Sequence, residues 1–211
     1  MRKMFTIGFI LILTLSFMSI LRAFSTPATP KIYVEPKRNT FTPDTTSVGD
    51  TFNVNISTSG WEAPGLYSFE LKLYYDNTMI NATKAVYPSG HFLPSPNFEV
   101  PPEINREKGY ILFGVTKLGD VPGSTGSGVF ANVIFQIIKA PPPALSCNLE
   151  LKEITLLDPL GTEYEEYEVE NGYYEFSAPG PPVYLKVEPS TVSAGKVGDE
   201  VSLSVTKCNP P

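Results

Sequence analysis

The chain has 211 residues, 42% of them hydrophobic and 18% charged, which is enough for one domain of about 150 residues with an appendage but not for two full domains. The net charge of −6 argues against binding to nucleic acids or to anionic membranes. The 21 Pro and 16 Gly residues separate short apolar runs rich in Val, Ile, Tyr and Phe, and this composition favours an all-β fold.

Residues 1–25 have the organisation of a secretory signal peptide. Arg2 and Lys3 supply a basic start, residues 4–21 form an apolar stretch without a charged residue, and Ala23-Phe24-Ser25 gives a small-residue exit. The alternative is an uncleaved membrane anchor, because the apolar stretch reaches the lower limit for crossing a bilayer. We expect a secreted protein that contacts a membrane only through an uncleaved leader or through a C-terminal anchor beyond residue 211.

Strand patterns follow a linker over residues 26–30. The first is Ile32-Tyr33-Val34, and alternation of period two is explicit in 52–56 and again in 67–75, where Phe69, Leu71 and Leu73 share one face. Further candidate strands are 85–87, 110–116, 129–138, 149–157 and 172–176. Within 149–157 the apolar residues change phase, which predicts a β-bulge near Lys152-Glu153. Eight or nine strands without a helical crossover indicate two packed antiparallel sheets in a sandwich or jelly roll.

A short internal sequence repeat indicates where the chain divides into domains. Val34-Glu35-Pro36 followed by Val48-Gly49-Asp50 recurs as Val187-Glu188-Pro189 followed by Val197-Gly198-Asp199. Between the copies, residues 178–182 form a stiff Pro/Gly linker. We therefore expect one domain over 31–177 and the start of a truncated second β domain over 183–211, since two strands alone cannot bury a core. The alternative is that the tail adds a strand to the first domain.

Cys147 and Cys208 fall on opposite sides of this linker. The sequence therefore predicts no disulfide within one domain, even in an oxidising compartment.

The motifs, taken in order, resemble those of cohesin domains. The resemblance lies in Tyr33-Val34-Glu35-Pro36 with Val48-Gly49-Asp50-Thr51-Phe52, in residues 66–76 with Asn77 in place of the usual Pro, in Gly109-Tyr110-Ile111, in residues 127–135, and in Asn171-Gly172-Tyr173. The match runs over about residues 31–176. It implies a nine-stranded jelly-roll β-sandwich without catalytic activity.

In the cohesin family one sheet face receives a dockerin, a small calcium-loaded module on an enzyme or anchoring protein. The resemblance places this contact near Ser68, Glu70, Asn105, Gly114 and Lys117, and strand alternation adds outward-facing neighbours. The expected partner-binding face is Ser68, Glu70, Lys72, Tyr74, Asn105, Leu112, Gly114 and Lys117. The residue types differ from those of the best-known members, so the identity of the partner does not transfer.

The implied function is a secreted module that recruits a dockerin-like partner to a scaffold or cell surface in polysaccharide breakdown. The alternative is direct binding of a polysaccharide, or structural adhesion at the cell envelope. Trp61 with Tyr67, Tyr74 and Tyr110 could form a sugar-stacking platform. The favoured interpretation of Trp61 is instead a lid on the core, within the loop Gly60 to Gly65.

No constellation of catalytic residues emerges from the sequence. His91 is the only histidine, in a Pro-rich loop, and is interpreted as structural. An acidic run could supply the paired carboxylates of a glycosidase, but a solvated edge strand or loop whose charges discourage edge-to-edge pairing is favoured. That run contains Glu163, Glu165, Glu166, Glu168 and Glu170.

No cofactor or metal site is predicted. The loops at Asp44, Asp50, Asp76 and Asp158 are oxygen-rich and suit calcium, but no regular ligand spacing supports it. Two tripeptides, Asn55-Ile56-Ser57 and Asn81-Ala82-Thr83, are N-glycosylation candidates because export is expected.

Overall fold

The computed structural model describes residues 29–141 and 143–177, and the backbone of residues 184–188 and 204–208. The predicted leader and the linker over 178–182 lie outside the described residues. None of the residues that the structure describes belongs to a helix with the length and apolarity needed to cross a membrane.

Eleven strands form two packed sheets. They are β1 (Lys31–Glu35), β2 (Arg38–Phe41), β3 (Thr51–Leu66), β4 (Ser68–Tyr74), β5 (Ile80–Val86), β6 (Asn97–Asn105), β7 (Tyr110–Lys117), β8 (Ser124–Ile137), β9 (Leu145–Leu157), β10 (Glu168–Glu170) and β11 (Gly172–Phe176). The five-stranded sheet has the order β10-β1-β3-β8-β5, and the six-stranded sheet has the order β2-β11-β9-β4-β7-β6. The predicted all-β sandwich is confirmed.

Two extended segments change sheets, and because each is divided into two strands the sandwich has eleven strands, so the predicted count of nine is not confirmed. β1 lies in the five-stranded sheet and β2, which starts after Pro36-Lys37, lies in the six-stranded sheet. In the same way β10 and β11 lie in different sheets on either side of Asn171. The pairs β1–β10 and β2–β11 are parallel, whereas the others in the sandwich are antiparallel. Apolar alternation does not reveal such a change of hydrogen-bonding partner.

The core between the sheets follows the predicted alternation. Leu71 and Leu73 on β4 and Val54 and Ile56 on β3 are fully buried. Aromatic rings join the two layers: Phe69 of β4 stacks on Phe130 of β8 with ring centroids 4.2 Å apart. This continuous core fixes which side of each sheet faces solvent.

The predicted bulge lies in β9. Glu70 pairs with Thr155 and Lys72 with Lys152, which leaves two residues of β9 opposite Leu71. Glu153 has a φ of 50°, in the left-handed region. The change of apolar phase along β9 thus arises from a bulge, as expected.

β6 is an edge strand that the sequence analysis did not predict. Pro101 and Pro102 lie where the register between β6 and β7 shifts, between the pairs of Val100 and Glu103. Proline is tolerated at a bulge on an edge strand because no ladder hydrogen bond needs its missing N–H. The sequence analysis therefore names no strand over residues 97–105, although this segment completes the sheet.

Two further strands, β12 (Tyr184–Glu188) and β13 (Ser204–Cys208), form an antiparallel sheet of their own. The assignment of residues 183–211 to the start of a second domain remains a prediction.

Candidate binding face

The candidate site is the side of the six-stranded sheet that faces away from the core, here called the outer face. It is built by β6, β7, β4 and β9. The register of β4 against β7 pairs Ser68 with Thr116, Glu70 with Gly114, Lys72 with Leu112 and Tyr74 with Tyr110. Because directly opposed residues of paired strands share a face, these side chains lie together.

Most of the residues predicted for the partner contact are found on the outer face. Glu70 is exposed, and Ser68, Lys72, Tyr74 and Leu112 are half-buried on the side of β4 and β7 opposite the core. Asn105 lies beside them on β6, and its Nδ2 donates to the Tyr110 hydroxyl over 3.3 Å.

Two predicted residues have different surroundings. Lys117 follows Ile111, Phe113 and Val115 in the core-facing phase of β7, and its Nζ lies 3.4 Å from Ser124 Oγ on the other sheet. It therefore does not share the outer face. Gly114 does lie on that face, but it is buried, because the Val100 side chain packs over it.

A charged and aromatic cluster forms one half of the outer face. The β9 bulge brings Glu153 to Lys72 and Tyr74, and both side chains donate hydrogen bonds to its carboxylate. The hydrogen bonds from Lys72 and then Tyr74 lower the pKa of Glu153, and the bond to Glu153 raises the pKa of Lys72 and of Tyr74. The Lys72 Nζ lies 5.0 Å from the centroid of the Tyr110 ring. The cluster thus holds the Lys72 ammonium paired with the Glu153 carboxylate, beside the Tyr74 hydroxyl and the face of the Tyr110 ring.

The other half of the outer face is apolar. Phe98 is 57% exposed and Val100 is 42% exposed on β6, opposite Thr116 and Gly114 of β7. Leu112 lies on the next strand of the same face. Sequence reasoning missed Phe98 and Val100, although their alternation around Glu99 was a strand signal.

Tyr87 fixes β6 against β7 at its bulge. The hydroxyl donates to the Val100 carbonyl oxygen over 2.8 Å and accepts from the Gly114 N–H over 2.9 Å. Burial raises the pKa of Tyr87 to about 12. The hydroxyl of the half-buried Tyr87 thus joins Val100 of β6 to Gly114 of β7 next to the β6 bulge, and it holds Val100 over Gly114.

His91 has a structural role in the same region. It is buried after β5, and its Nε2 lies 3.1 Å from Glu99 Oε1 and 3.0 Å from Asn97 Nδ2, both on β6. The histidine therefore ties the loop before β6 to the strand, in keeping with its interpretation from the sequence.

Trp61 is not available for sugar stacking. It is 2% exposed, its Nε1 donates to Thr58 Oγ1 over 2.6 Å, and its ring meets Tyr164 edge-on at 5.0 Å. The predicted packing of Trp61 against the core is confirmed, and the platform that includes Trp61 is excluded. The predicted loop from Gly60 to Gly65 is wrong, because these residues belong to β3, which pairs irregularly with β8 at Trp61.

The acidic run lies at an edge of the five-stranded sheet. Glu168–Glu170 forms β10, which pairs with β1, and the Glu170 carboxylate lies 2.8 Å from Lys31 Nζ. The other glutamates of the run are exposed. The interpretation as a solvated edge strand or loop is confirmed, because residues 168–170 form an edge strand and residues 164–167 before them form a loop.

Three of the four aspartates considered as calcium ligands stabilise turns. Asp50, Asp76 and Asp158 accept hydrogen bonds from the backbone N–H groups of Ser47, Thr78 and Leu160. Among the described residues, no three His, Cys, Asp or Glu side chains are grouped so as to hold a metal ion.

These features define a β-sandwich with an open sheet face, half apolar and half charged, of the kind that recognition modules present. The family model described as the cohesin domain matches residues 40–147, so the chain belongs to the cohesin family. The resemblance predicted from the sequence is confirmed. A search of curated proteins finds no match.

Solved cohesins have the same fold. The OlpC cohesin in a type I cohesin-dockerin complex from Clostridium thermocellum is 19% identical, with a TM-score of 0.57, over 72% of this chain and 95% of that chain. A non-cellulosomal cohesin from Archaeoglobus fulgidus is 16% identical, with a TM-score of 0.53, over 72% and 93%. The third ScaC cohesin of Acetivibrio cellulolyticus, in complex with the ScaB dockerin, is 15% identical, with a TM-score of 0.56, over 71% and 99%.

Proposed function

We propose that this chain is a secreted, non-catalytic cohesin module whose outer face recruits a dockerin-type partner to a scaffold or cell surface in polysaccharide breakdown. The observation that carries the proposal is the exposed pair Phe98 and Val100 beside Leu112, next to the cluster of Lys72, Tyr74 and Glu153. Large apolar side chains that are exposed on a sheet face are typical of a surface that binds a partner. Membership of a family of non-catalytic binding modules supports the absence of enzymatic activity.

The two halves of the outer face would contribute differently to binding. Phe98, Val100 and Leu112 would be the anchors, because interface energy concentrates in apolar and aromatic side chains that become fully desolvated. The Lys72–Glu153 pair is already formed, so it would set orientation and selectivity more than affinity. Ser68, Glu70 and Asn105 would form the polar rim, and Gly114 would contribute through the Val100 side chain above it. Lys117 does not lie on the outer face, so it would contact the partner only if the interface extended past the end of β7.

Solved relatives support the partner class. Two of the structures described above are complexes of a cohesin with a dockerin. Their likeness to this chain is one of fold, so the dockerin partner is part of the proposal.

Direct binding of a polysaccharide is the second candidate, favoured by one observation. Tyr74 and Tyr110 lie side by side on the outer face with ring centroids 5.6 Å apart. Aromatic rings can stack on sugars. The rings are however tilted by 48° and half-buried, and Tyr74 is held by Glu153. Two tilted rings offer less flat area than a sugar platform needs, so the protein partner is favoured.

A binding panel separates the two candidates. The immobilised chain is tested against purified calcium-loaded dockerins and, in parallel, against cellulose and chitin. We expect at least one dockerin to bind, and Leu112→Ala to weaken it by about 1 kcal/mol or more, or about fivefold. Glu165→Ala, in the exposed acidic run, is the matched control and should bind as the parent does. Retention on cellulose or chitin without any dockerin binding would contradict the proposal.

A further inference from the structure

The two glycosylation tripeptides lie on the side of the sandwich opposite the outer face. Asn55 on β3 alternates with the buried Val54 and Ile56, and Asn81 on β5 alternates with the buried Ile80 and Ala82. Both asparagines therefore point away from the core, on the solvent side of the five-stranded sheet.

Asn55 is enclosed by its neighbours. It lies in an inner strand, with Glu35 opposite it on β1 and Asn132 opposite it on β8. The Asn132 Nδ2 donates to Asn55 Oδ1 over 2.9 Å. Ser57, whose hydroxyl completes this tripeptide, is only 2% exposed and lies 3.4 Å from a Glu35 carboxylate oxygen. A glycosylating enzyme must bind both the Asn55 side-chain amide and the Ser57 hydroxyl, and in the folded domain the Ser57 hydroxyl is buried.

Asn81 is open. β5 is the edge strand of its sheet, so Asn81 has a cross-strand neighbour, Gln136, on one side only. Thr83 is exposed. The register shifts between Ala82 and Lys84, so Thr83 is the extra residue of a bulge. A bulge on an edge strand loosens the ladder locally, which lets the backbone adapt to an enzyme.

We propose that Asn81 is an N-glycosylation site of the folded domain and that Asn55 is not. The co-reactant is a lipid-phosphate-linked oligosaccharide. Asn81 Nδ2 forms a bond to C1 of the first sugar and gives up one proton, while the C1–O bond to the lipid phosphate breaks and its electron pair leaves with the phosphate oxygen. In the cell this rests on the export included in the proposed function, because the transfer occurs on the exported side of the membrane.

The position of Asn81 gives the modification two consequences. A bulky polar glycan on β5 shields an open sheet edge, which otherwise offers unpaired N–H and C=O groups to another chain. It also leaves Phe98, Val100 and Leu112 free, because these lie on the opposite sheet. Glycosylation and partner binding are therefore compatible.

The test uses the folded, purified chain with a membrane oligosaccharyltransferase and its lipid-linked donor, followed by intact mass measurement and peptide mapping. We expect a single glycan on Asn81, retained in Thr83→Ser and Asn55→Gln and lost in Thr83→Ala. The serine variant keeps the hydroxyl, so it is the matched control for the alanine variant. A glycan on Asn55, or a chain without any glycan, would overturn the proposal. The reaction needs neither the leader nor a dockerin, so its outcome is independent of the proposed function.

Discussion

Leu71→Asp should abolish cooperative folding. Leu71 is fully buried on β4, opposite Phe113 of β7 on one side and the bulge of β9 on the other. Loss of the leucine side chain costs about 2 to 5 kcal/mol, and the unpaired buried carboxylate adds several kcal/mol. Together these reach the roughly 5 to 15 kcal/mol that stabilise a typical domain.

Urea unfolding followed by Trp61 emission measures this directly. Trp61 is the only tryptophan and is buried against Tyr164, so its emission reports the folded core. Glu70→Asp is the matched control, because it places an aspartate one residue away on the exposed face and should shift stability by no more than about 0.5 kcal/mol. Phe135→Asp, in the opposite sheet, should also abolish cooperative folding. A cooperative transition at the parent midpoint in Leu71→Asp would show that the strand phase is reversed.

Three further predictions concern packing, pH and domain boundaries. Gly123→Ala should lower the calorimetric melting temperature through about 1 to 3 kcal/mol of strain, because its Cβ would lie 2.3 Å from the Gly65 carbonyl oxygen; an unchanged temperature would refute this close approach. Tyr87→Phe should cost about 1 to 3 kcal/mol, since the Gly114 N–H loses its acceptor. The folded pKa of Tyr87, about 12, lies above the unfolded value of about 10, so its contribution is complete below pH 10 and is lost as pH rises towards 12. Parent stability should therefore fall more steeply than that of Tyr87→Phe between these pH values, and parallel curves would contradict the assignment. Deletion of residues 183–211 should leave the first domain's melting temperature unchanged, whereas a large drop would mean that these residues belong to its sheets.

Much of the fold could be predicted from local patterns. Strict alternation identified β3 and β4 because each has one face in the core and one in solvent. The apolar residues of β9 change from one alternation phase to the other, and this change identified a bulge because the apolar side chains must stay on the core side of the strand. β6 was signalled only by the alternation of Phe98 and Val100 around Glu99. Pro101 and Pro102 argue against a strand unless it lies at a sheet edge, and edge position is a property of the whole sheet. The sheet changes at Pro36-Lys37 and Asn171 likewise depend on which strands are neighbours in space.

The positions of several residues on the outer face could be predicted from the sequence. Alternation correctly grouped Glu70, Lys72 and Tyr74, because these positions depend only on strand phase. Glu153 joins them through the bulge geometry, which the sequence located without showing where the carboxylate would point. Lys117 was included on the family resemblance, whereas its strand phase places it on the core-facing side of β7, beside Ser124.

The most direct measurement is the dockerin affinity of matched variants on the two opposite sheets. Phe98→Ala and Leu112→Ala remove apolar side chains from the outer face, and Ile134→Ala removes a half-buried apolar side chain from the solvent side of the five-stranded sheet. Calorimetric titration with a binding dockerin should show each outer-face variant at least about fivefold weaker, with parent melting temperatures, and Ile134→Ala unchanged. Equal losses on both sheets, or a loss confined to Ile134→Ala, would contradict the assignment of the outer face as the partner-binding surface.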